Sequence, residues 1–146
     1  MLIKRRRMSL AIPLFIYIFI SGAVYASEII IIANPNINED KLTRKEIENI
    51  FLGTTTKWPD GTKIIFATMK KEDIHVPFLK LYIKKSAGQF EAFWRRQLFT
   101  GKGSIPKSCT SDQQMIDFVA QHNGAIGYVS SSAVLGEVKQ MAVIDN

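Results

Sequence analysis

The chain has 146 residues, of which 19 are basic and 13 are acidic, and it contains a single cysteine, Cys109. Four of the basic residues lie within residues 4–7, which leaves 15 basic and 13 acidic residues from residue 27 onward. That small net charge does not indicate a nucleic-acid partner, and one cysteine excludes an intramolecular disulfide, so the fold has to rest on packing.

Residues 1–26 have the three parts of a secretory signal peptide. A basic cluster at Lys4–Arg7 precedes an apolar run over 10–20, and small residues follow and end at Ala26. A retained membrane anchor is the alternative, but the apolar run is short against the roughly 20 residues that span a bilayer. We therefore predict cleavage after Ala26, and a periplasmic chain of residues 27–146 that meets the membrane only during export.

The first half of the remaining chain predicts strand, helix and strand. Residues 28–33 include four consecutive isoleucines, which is typical of a strand buried on both faces. Thr43 and Glu46 form the pattern of a capping box, so a helix is predicted to begin there and to stop at Gly53. A second strand is predicted from Lys63 to Met69.

Two helices are predicted next. One is expected to begin near Pro77, since proline suits the first helical position. The other is expected to begin at Ser86, with Gln89 completing a capping box. Its apolar side chains fall on one helical stripe, which predicts that they belong to the core. These residues are Phe90, Phe93, Trp94 and Leu98.

The last third predicts one more helix and two more strands. A helix is expected after Ser111, with Gln114 in a third capping box. A strand over 125–129 follows, residues 130–132 are expected to open a short helical piece, and a final strand is predicted over 138–144. Alternation of strands and helices predicts a single α/β domain in which helices pack on a sheet.

Sequence motifs for catalysis are missing. The chain has no glycine-rich nucleotide loop, no nucleophile elbow and no spacing of metal ligands. His75 and His122 are far apart in the sequence. His122 is interpreted as a surface residue at a helix end, and His75 as a residue of the loop before the second helix, where a surface role is favoured over a ligand contact. Cys109 is interpreted as a tolerated free thiol. We therefore expect no enzyme activity, no cofactor and no metal site.

The candidate binding residues lie where predicted strands end. Lys70 and Lys71 follow the second strand, and Ser130 follows the third. In an open α/β sheet, ligands gather where the carboxyl ends of strands meet helix N-termini. We predict an oxyanion site formed by Thr68, Lys70, Lys71 and Ser130; the basic loop over 100–104 is a second place where an anion could bind.

Three sequence segments, taken in chain order, resemble those of a known protein family. They are LTRKEIENIFLGTTTKWPDG at 42–61, the pair Phe93-Trp94 with the FTGKG segment at 99–103, and NGAIGYV at 123–129. Together they resemble the short, single-lobe members of the periplasmic phosphate-binding (PstS-like) proteins of phosphate ABC transporters. The resemblance implies one lobe of a type II periplasmic-binding-protein-like fold over residues 27–146, with a mixed sheet flanked by helices.

The resemblance also implies phosphate or a related oxyanion as the ligand, in ABC-type uptake or sensing. Binding by one lobe is expected to be weak, because an open, wet site screens charge. A permease, a sensor or a second copy of the chain is the expected partner that closes the site. The alternative is an envelope scaffold that kept the lobe and lost the ligand.

Overall fold

The computed structural model describes residues 28–145, so the predicted signal peptide and its cleavage after Ala26 lie outside the described residues. Within residues 28–145, the chain forms seven strands and four α-helices. The strands are β1 (Ile29–Ala33), β2 (Lys41–Thr43), β3 (Ile65–Met69), β4 (Lys107–Cys109), β5 (Ala125–Ser130), β6 (Lys139–Gln140) and β7 (Ala142–Ile144). The helices are α1 (Arg44–Phe51), α2 (Glu72–Phe78), α3 (Ala87–Phe99) and α4 (Asp112–Gln121), and a π-helical turn, Leu79–Ile83, extends α2.

The main sheet is mixed, as predicted. Its strand order is β4-β3-β5-β1-β6, with β3 parallel to both β4 and β5, and β1 antiparallel to β5 and β6. β2 and β7 form a separate parallel pair. Because β3, β4 and β5 run in one direction, they end on one side of the sheet, at Met69, Cys109 and Ser130. We call this side the carboxyl edge.

Helices cover both faces of the sheet. Successive side chains of β5 point to opposite faces: the Tyr128 ring stacks on Phe78 of α2 with centroids 3.7 Å apart, whereas Gly127 faces Met115 and Val119 of α4. Every residue of β5 is buried. The structure thus confirms an α/β lobe whose sheet is flanked by helices.

Two predicted capping boxes are confirmed. The Thr43 hydroxyl accepts from the Glu46 N–H at 3.1 Å, and the Glu46 carboxylate accepts from the Thr43 N–H at 2.7 Å. At the start of α3, the Ser86 hydroxyl accepts from the Gln89 N–H at 3.1 Å, and the Gln89 side-chain oxygen accepts from the Ser86 N–H at 2.9 Å. Both motifs are local, and each satisfies N–H groups that the first turn leaves free.

Of the third predicted capping box, the structure has the serine cap but not the reciprocal glutamine bond. Ser111 does cap α4, since its hydroxyl accepts from the Gln114 N–H at 3.1 Å. The Gln114 side chain instead accepts from the N–H of Thr110 at 2.6 Å, one residue before the cap.

The predicted start of the second helix near Pro77 is wrong. α2 begins at Glu72, and Pro77 lies inside it. The proline cannot donate to a carbonyl one turn earlier, and after it the helix widens into the π-helical turn, where the Lys84 N–H donates to the Leu79 carbonyl at 2.7 Å.

Predictions after β5 and for the short strands also need correction. No helical piece forms over residues 130–132: Ser130 ends β5, and residues 131–132 form a turn that is closed by the bond from the Ala133 N–H to the Ser130 carbonyl at 3.1 Å. The predicted strand over 138–144 is divided at Met141 into β6 and β7, which pair with different strands. Strands β2 and β4 were not predicted.

Candidate functional site

Parallel pairing brings the ends of β3 and β5, and with them the four predicted ligand residues, to the carboxyl edge. Thr68 is half-buried in β3, and Lys70 directly follows that strand. Lys71 is the N-cap residue of α2, and Ser130 ends β5. Only Thr68 and Lys70 line the large cavity described below.

Lys70 is the cation best placed for a ligand. Its N–H donates to the Cys109 carbonyl at 2.8 Å, which fixes its backbone, while its side chain is exposed and forms no ion pair within residues 28–145. The Lys71 ammonium lies 3.7 Å from the carboxylate of Asp73, so part of its charge is already compensated. The Thr68 hydroxyl has only a long contact, 3.5 Å, to the Lys107 carbonyl and is free to bond elsewhere.

Ser130 is already occupied by protein groups. Its hydroxyl donates to the Asp112 carboxylate at 2.5 Å and lies 3.0 Å from the hydroxyl of Ser132. Its N–H points to the same carboxylate at 3.3 Å. An anion would have to compete with Asp112, a partner that the sequence reasoning missed, so Ser130 is a weaker candidate than Thr68 and Lys70.

A cavity of about 680 Å³ opens between α3 and the ends of β3 and β4. Its polar lining residues include Thr68, Lys70 and His75. Much of the remaining lining is apolar. The apolar side chains are Phe90, Trp94, Leu98, Phe99, Ile105 and Pro106.

The predicted core stripe on α3 is only partly core. Phe90 is buried, Phe93 and Trp94 are half-buried, and Leu98 is 44% exposed. A helical stripe predicts which face is apolar, but it does not predict what covers that face. Toward the end of α3, the stripe borders the cavity.

Trp94 has a fixed position on the cavity wall. Its indole N–H donates to the Phe51 carbonyl at 3.1 Å, and its ring lies 5.4 Å from that of Phe66. Gly53 and Gly103 lie against the ring, and a Cβ at either would come within 2.9 Å of it. Trp94 is therefore a structural residue whose ring also lines the cavity.

A hydrogen bond between the half-buried His75 and the buried Tyr128 joins α2 to β5. His75 lies inside α2, not in a loop before it, and its Nδ1 is 2.6 Å from the Tyr128 hydroxyl. The same hydroxyl accepts from the Met69 N–H at 2.9 Å. Burial lowers the pKa of His75 and raises the pKa of Tyr128, so both side chains are neutral near pH 7.

The other groups considered as reactive residues lie apart from this pair. Cys109 is buried at the end of β4, and that burial raises the pKa of its thiol, which disfavours the thiolate. His122 is exposed, with its Nδ1 2.8 Å from the Phe118 carbonyl. Within residues 28–145, no three His, Cys, Asp or Glu side chains are grouped to hold a metal ion.

None of the helices described between residues 28 and 145 has the length and apolar character needed to cross a membrane.

The fold is a single α/β lobe with a cavity at the carboxyl edge of its sheet, where open α/β sheets bind ligands. The family comparison agrees: residues 20–143 match the model of the PBP superfamily domain, so the chain belongs to this superfamily. This confirms the resemblance drawn from the sequence motifs and supports a solute-binding role. No curated protein matches the sequence significantly.

Three solved structures from different bacteria share this fold. An ABC-type phosphate transport receptor from Vibrio cholerae is 20% identical, with a TM-score of 0.54 over 79% of this chain and 45% of its own. A Clostridium perfringens protein assigned to the phosphate ABC transporter substrate-binding proteins, solved with bound phosphate, is 21% identical, with a TM-score of 0.53 over 79% and 44%. PstS from Borrelia burgdorferi is 15% identical, with a TM-score of 0.53 over 79% and 46%. This chain thus spans less than half the length of each.

Proposed function

We propose that the protein is a periplasmic solute-binding protein that binds phosphate or a related oxyanion, in ABC-type uptake or sensing, and that it is not an enzyme. The observation that carries this proposal is Lys70: an exposed cation without an ion pair in residues 28–145, placed at the carboxyl edge and on the cavity wall. Two of the structures with this fold are named for phosphate, which supports this ligand class.

The geometry supports modest affinity. The site is open, and water and salt weaken charge interactions in such a place. Lys70 and Lys71 are point charges and cannot form the two parallel bonds that an arginine makes to an oxyanion. A partner that covers the carboxyl edge would exclude water and strengthen each contact. Such a partner is a permease, a sensor or a second copy of the chain.

Calorimetry with inorganic phosphate tests the proposal. We expect weak binding that loses affinity when ionic strength rises from about 0.01 M to about 0.15 M, because the Debye length then falls from roughly 30 Å to roughly 8 Å. The double variant Lys70→Gln/Lys71→Gln should lose most of the affinity. The matched control is Lys41→Gln/Lys80→Gln, which removes the same charge from exposed lysines outside the cavity lining.

Equal affinity in Lys70→Gln/Lys71→Gln and the wild type would move the site elsewhere, for example to the loop over 100–104. If no oxyanion binds to the wild type at either ionic strength, with or without a candidate partner, the envelope-scaffold alternative is the better function.

A further inference from the structure

The hydrogen bonds at Tyr128 determine which nitrogen of His75 carries the proton. The Met69 N–H can only donate, so the Tyr128 oxygen accepts from it. The buried Tyr128 hydroxyl has no other acceptor among the described residues, so its proton is satisfied when it donates to the Nδ1 of His75, 2.6 Å away, which then acts as an acceptor. In a neutral imidazole the other nitrogen is the donor. His75 is therefore held as the Nε2–H tautomer.

That Nε2–H is available to a ligand. It has no hydrogen-bond partner among the described residues, and the His75 side chain lines the cavity together with Thr68 and Lys70. A hydroxyl, an ammonium and an imidazole N–H thus belong to residues that line the same cavity. All three donate hydrogen bonds, which is the chemistry that an oxyanion requires.

Charge interactions alone contribute little to the affinity of this cavity for an anion. Glu72 also lines it, and Glu91 and Arg95 form an ion pair at 2.7 Å on the same wall, so the acidic and basic groups nearly balance. A ligand held only by its charge, such as inorganic phosphate, would also leave the apolar lining uncovered and would bind weakly. Apolar contact would add to the affinity.

The cavity has the size and the apolar surface for an organic ligand. Its volume of about 680 Å³ lies within the range of roughly 300–1,000 Å³ that is typical of small-molecule sites, which are mostly apolar with a few placed polar groups. Leu98 and Ile105 are 44% and 74% exposed beside the fixed Trp94 ring. An inorganic oxyanion has no apolar group that could pack against this surface.

We propose that the cavity binds an organic phosphate, a monoester or phosphonate with an apolar substituent, and that His75 Nε2–H donates to its oxyanion while the substituent packs against Trp94, Leu98 and Ile105. The inference rests on the proposed function and names the ligand class of the same site. Tyr128 acts as a positioning residue, because it sets the tautomer of His75 without contacting the ligand.

Binding of three probes tests the ligand class. Inorganic phosphate, phenyl phosphate and benzyl alcohol are titrated into the protein, with calorimetry and tryptophan fluorescence as readouts. We expect phenyl phosphate to bind about tenfold tighter than phosphate, because it adds buried apolar area, and to change the emission of Trp94. The other tryptophan, Trp58, is buried outside the cavity lining and bonded to the Gly124 carbonyl. Benzyl alcohol should bind more weakly than phenyl phosphate.

The outcomes separate the inference from the proposed function. If phosphate binds and phenyl phosphate binds no tighter, the organic ligand is excluded while the oxyanion function stands. If neither anion binds, both fail. If benzyl alcohol binds as tightly as phenyl phosphate, the site is an apolar one and the oxyanion contact is wrong.

Variants test the apolar contact. Leu98→Ser should weaken phenyl phosphate severalfold and leave phosphate unchanged, since only the substituent reaches this residue. Val134→Ser is the matched control, because Val134 is 85% exposed and does not line the cavity. Equal loss for both probes in Leu98→Ser would contradict the proposed packing.

Nitrogen NMR tests the role of His75 in the folded wild type, so it does not depend on a variant that folds. Long-range proton–nitrogen correlations should show His75 as the Nε2–H tautomer, and phenyl phosphate should shift its Nε2 but not the nitrogens of His122. Tyr128→Phe should mix the tautomers and weaken both anions. A His75 signal unchanged by saturating phenyl phosphate would overturn its contact with the ligand.

Discussion

His75 links the stability of the protein to pH. Burial lowers its pKa below the value of about 6.5 expected in the unfolded chain, so the unfolded state binds the proton more tightly. Stability from this group is fully present above pH 6.5 or so and is lost as pH falls through the lowered pKa. We expect the melting temperature to drop between about pH 7 and pH 5.

The control for this prediction is the other histidine of the sequence. His75→Gln should flatten the acid side of the stability profile, whereas His122→Gln, at an exposed position, should keep the wild-type slope. An unchanged slope in His75→Gln would show that other groups cause the acid sensitivity.

Single residues were predictable where their partners are close in sequence. Thr43 and Ser86 cap helices through residues three positions later, a spacing that can be read directly. The partners of Ser130 and His75 lie 18 and 53 residues away. Because such pairs exist only after the sheet has formed, the placement of Lys70 at the carboxyl edge was predicted, but the occupation of Ser130 was not.

At the scale of elements, the contact between β5 and α4 depends on Gly127. A Cβ at this position would lie 2.4 Å from the sulfur of Met115 and 3.3 Å from Val119, and both of these residues are fully buried. Gly127→Ala should therefore overpack the interface and lower the free energy of unfolding by about 1–3 kcal/mol. Urea denaturation measures this change.

Gly88→Ala is the matched control for Gly127→Ala. Gly88 lies in α3 with no atom within 4 Å of an added Cβ, so Gly88→Ala should keep or raise stability, because alanine favours a helix. A Gly127→Ala variant as stable as Gly88→Ala would show that α4 can move away from the sheet at little cost.

Long elements with local signals were predictable, and short ones were not. β1 and β5 have dense apolar sequences, and α1 and α3 have complete capping boxes. β2 and β4 have three residues each and form because a partner strand is beside them, as with Lys41 and Ala142. Such strands follow from tertiary contacts rather than from intrinsic preference.

At the scale of the whole molecule, cleavage after Ala26 is still a prediction. Mass spectrometry of the periplasmic fraction should find Ser27 as the first residue. Ala26→Tyr should block processing, because the cleavage site requires a small residue there. The control, Tyr25→Phe, changes the neighbouring position conservatively and should be processed normally. Recovery of full-length, membrane-bound wild type would instead favour a retained anchor.

The pairing of distant strands has a consequence for how the protein folds. Ile29 pairs with Ser130, and Lys41 with Ala142, so both sheets join segments near opposite ends of the chain. Closing such large loops costs entropy before any contact repays it, which slows folding. Neither sheet can be completed until the last strands have been synthesised. The nascent chain therefore stays unfolded through most of its synthesis, which is the state in which a polypeptide can be threaded through a narrow membrane channel.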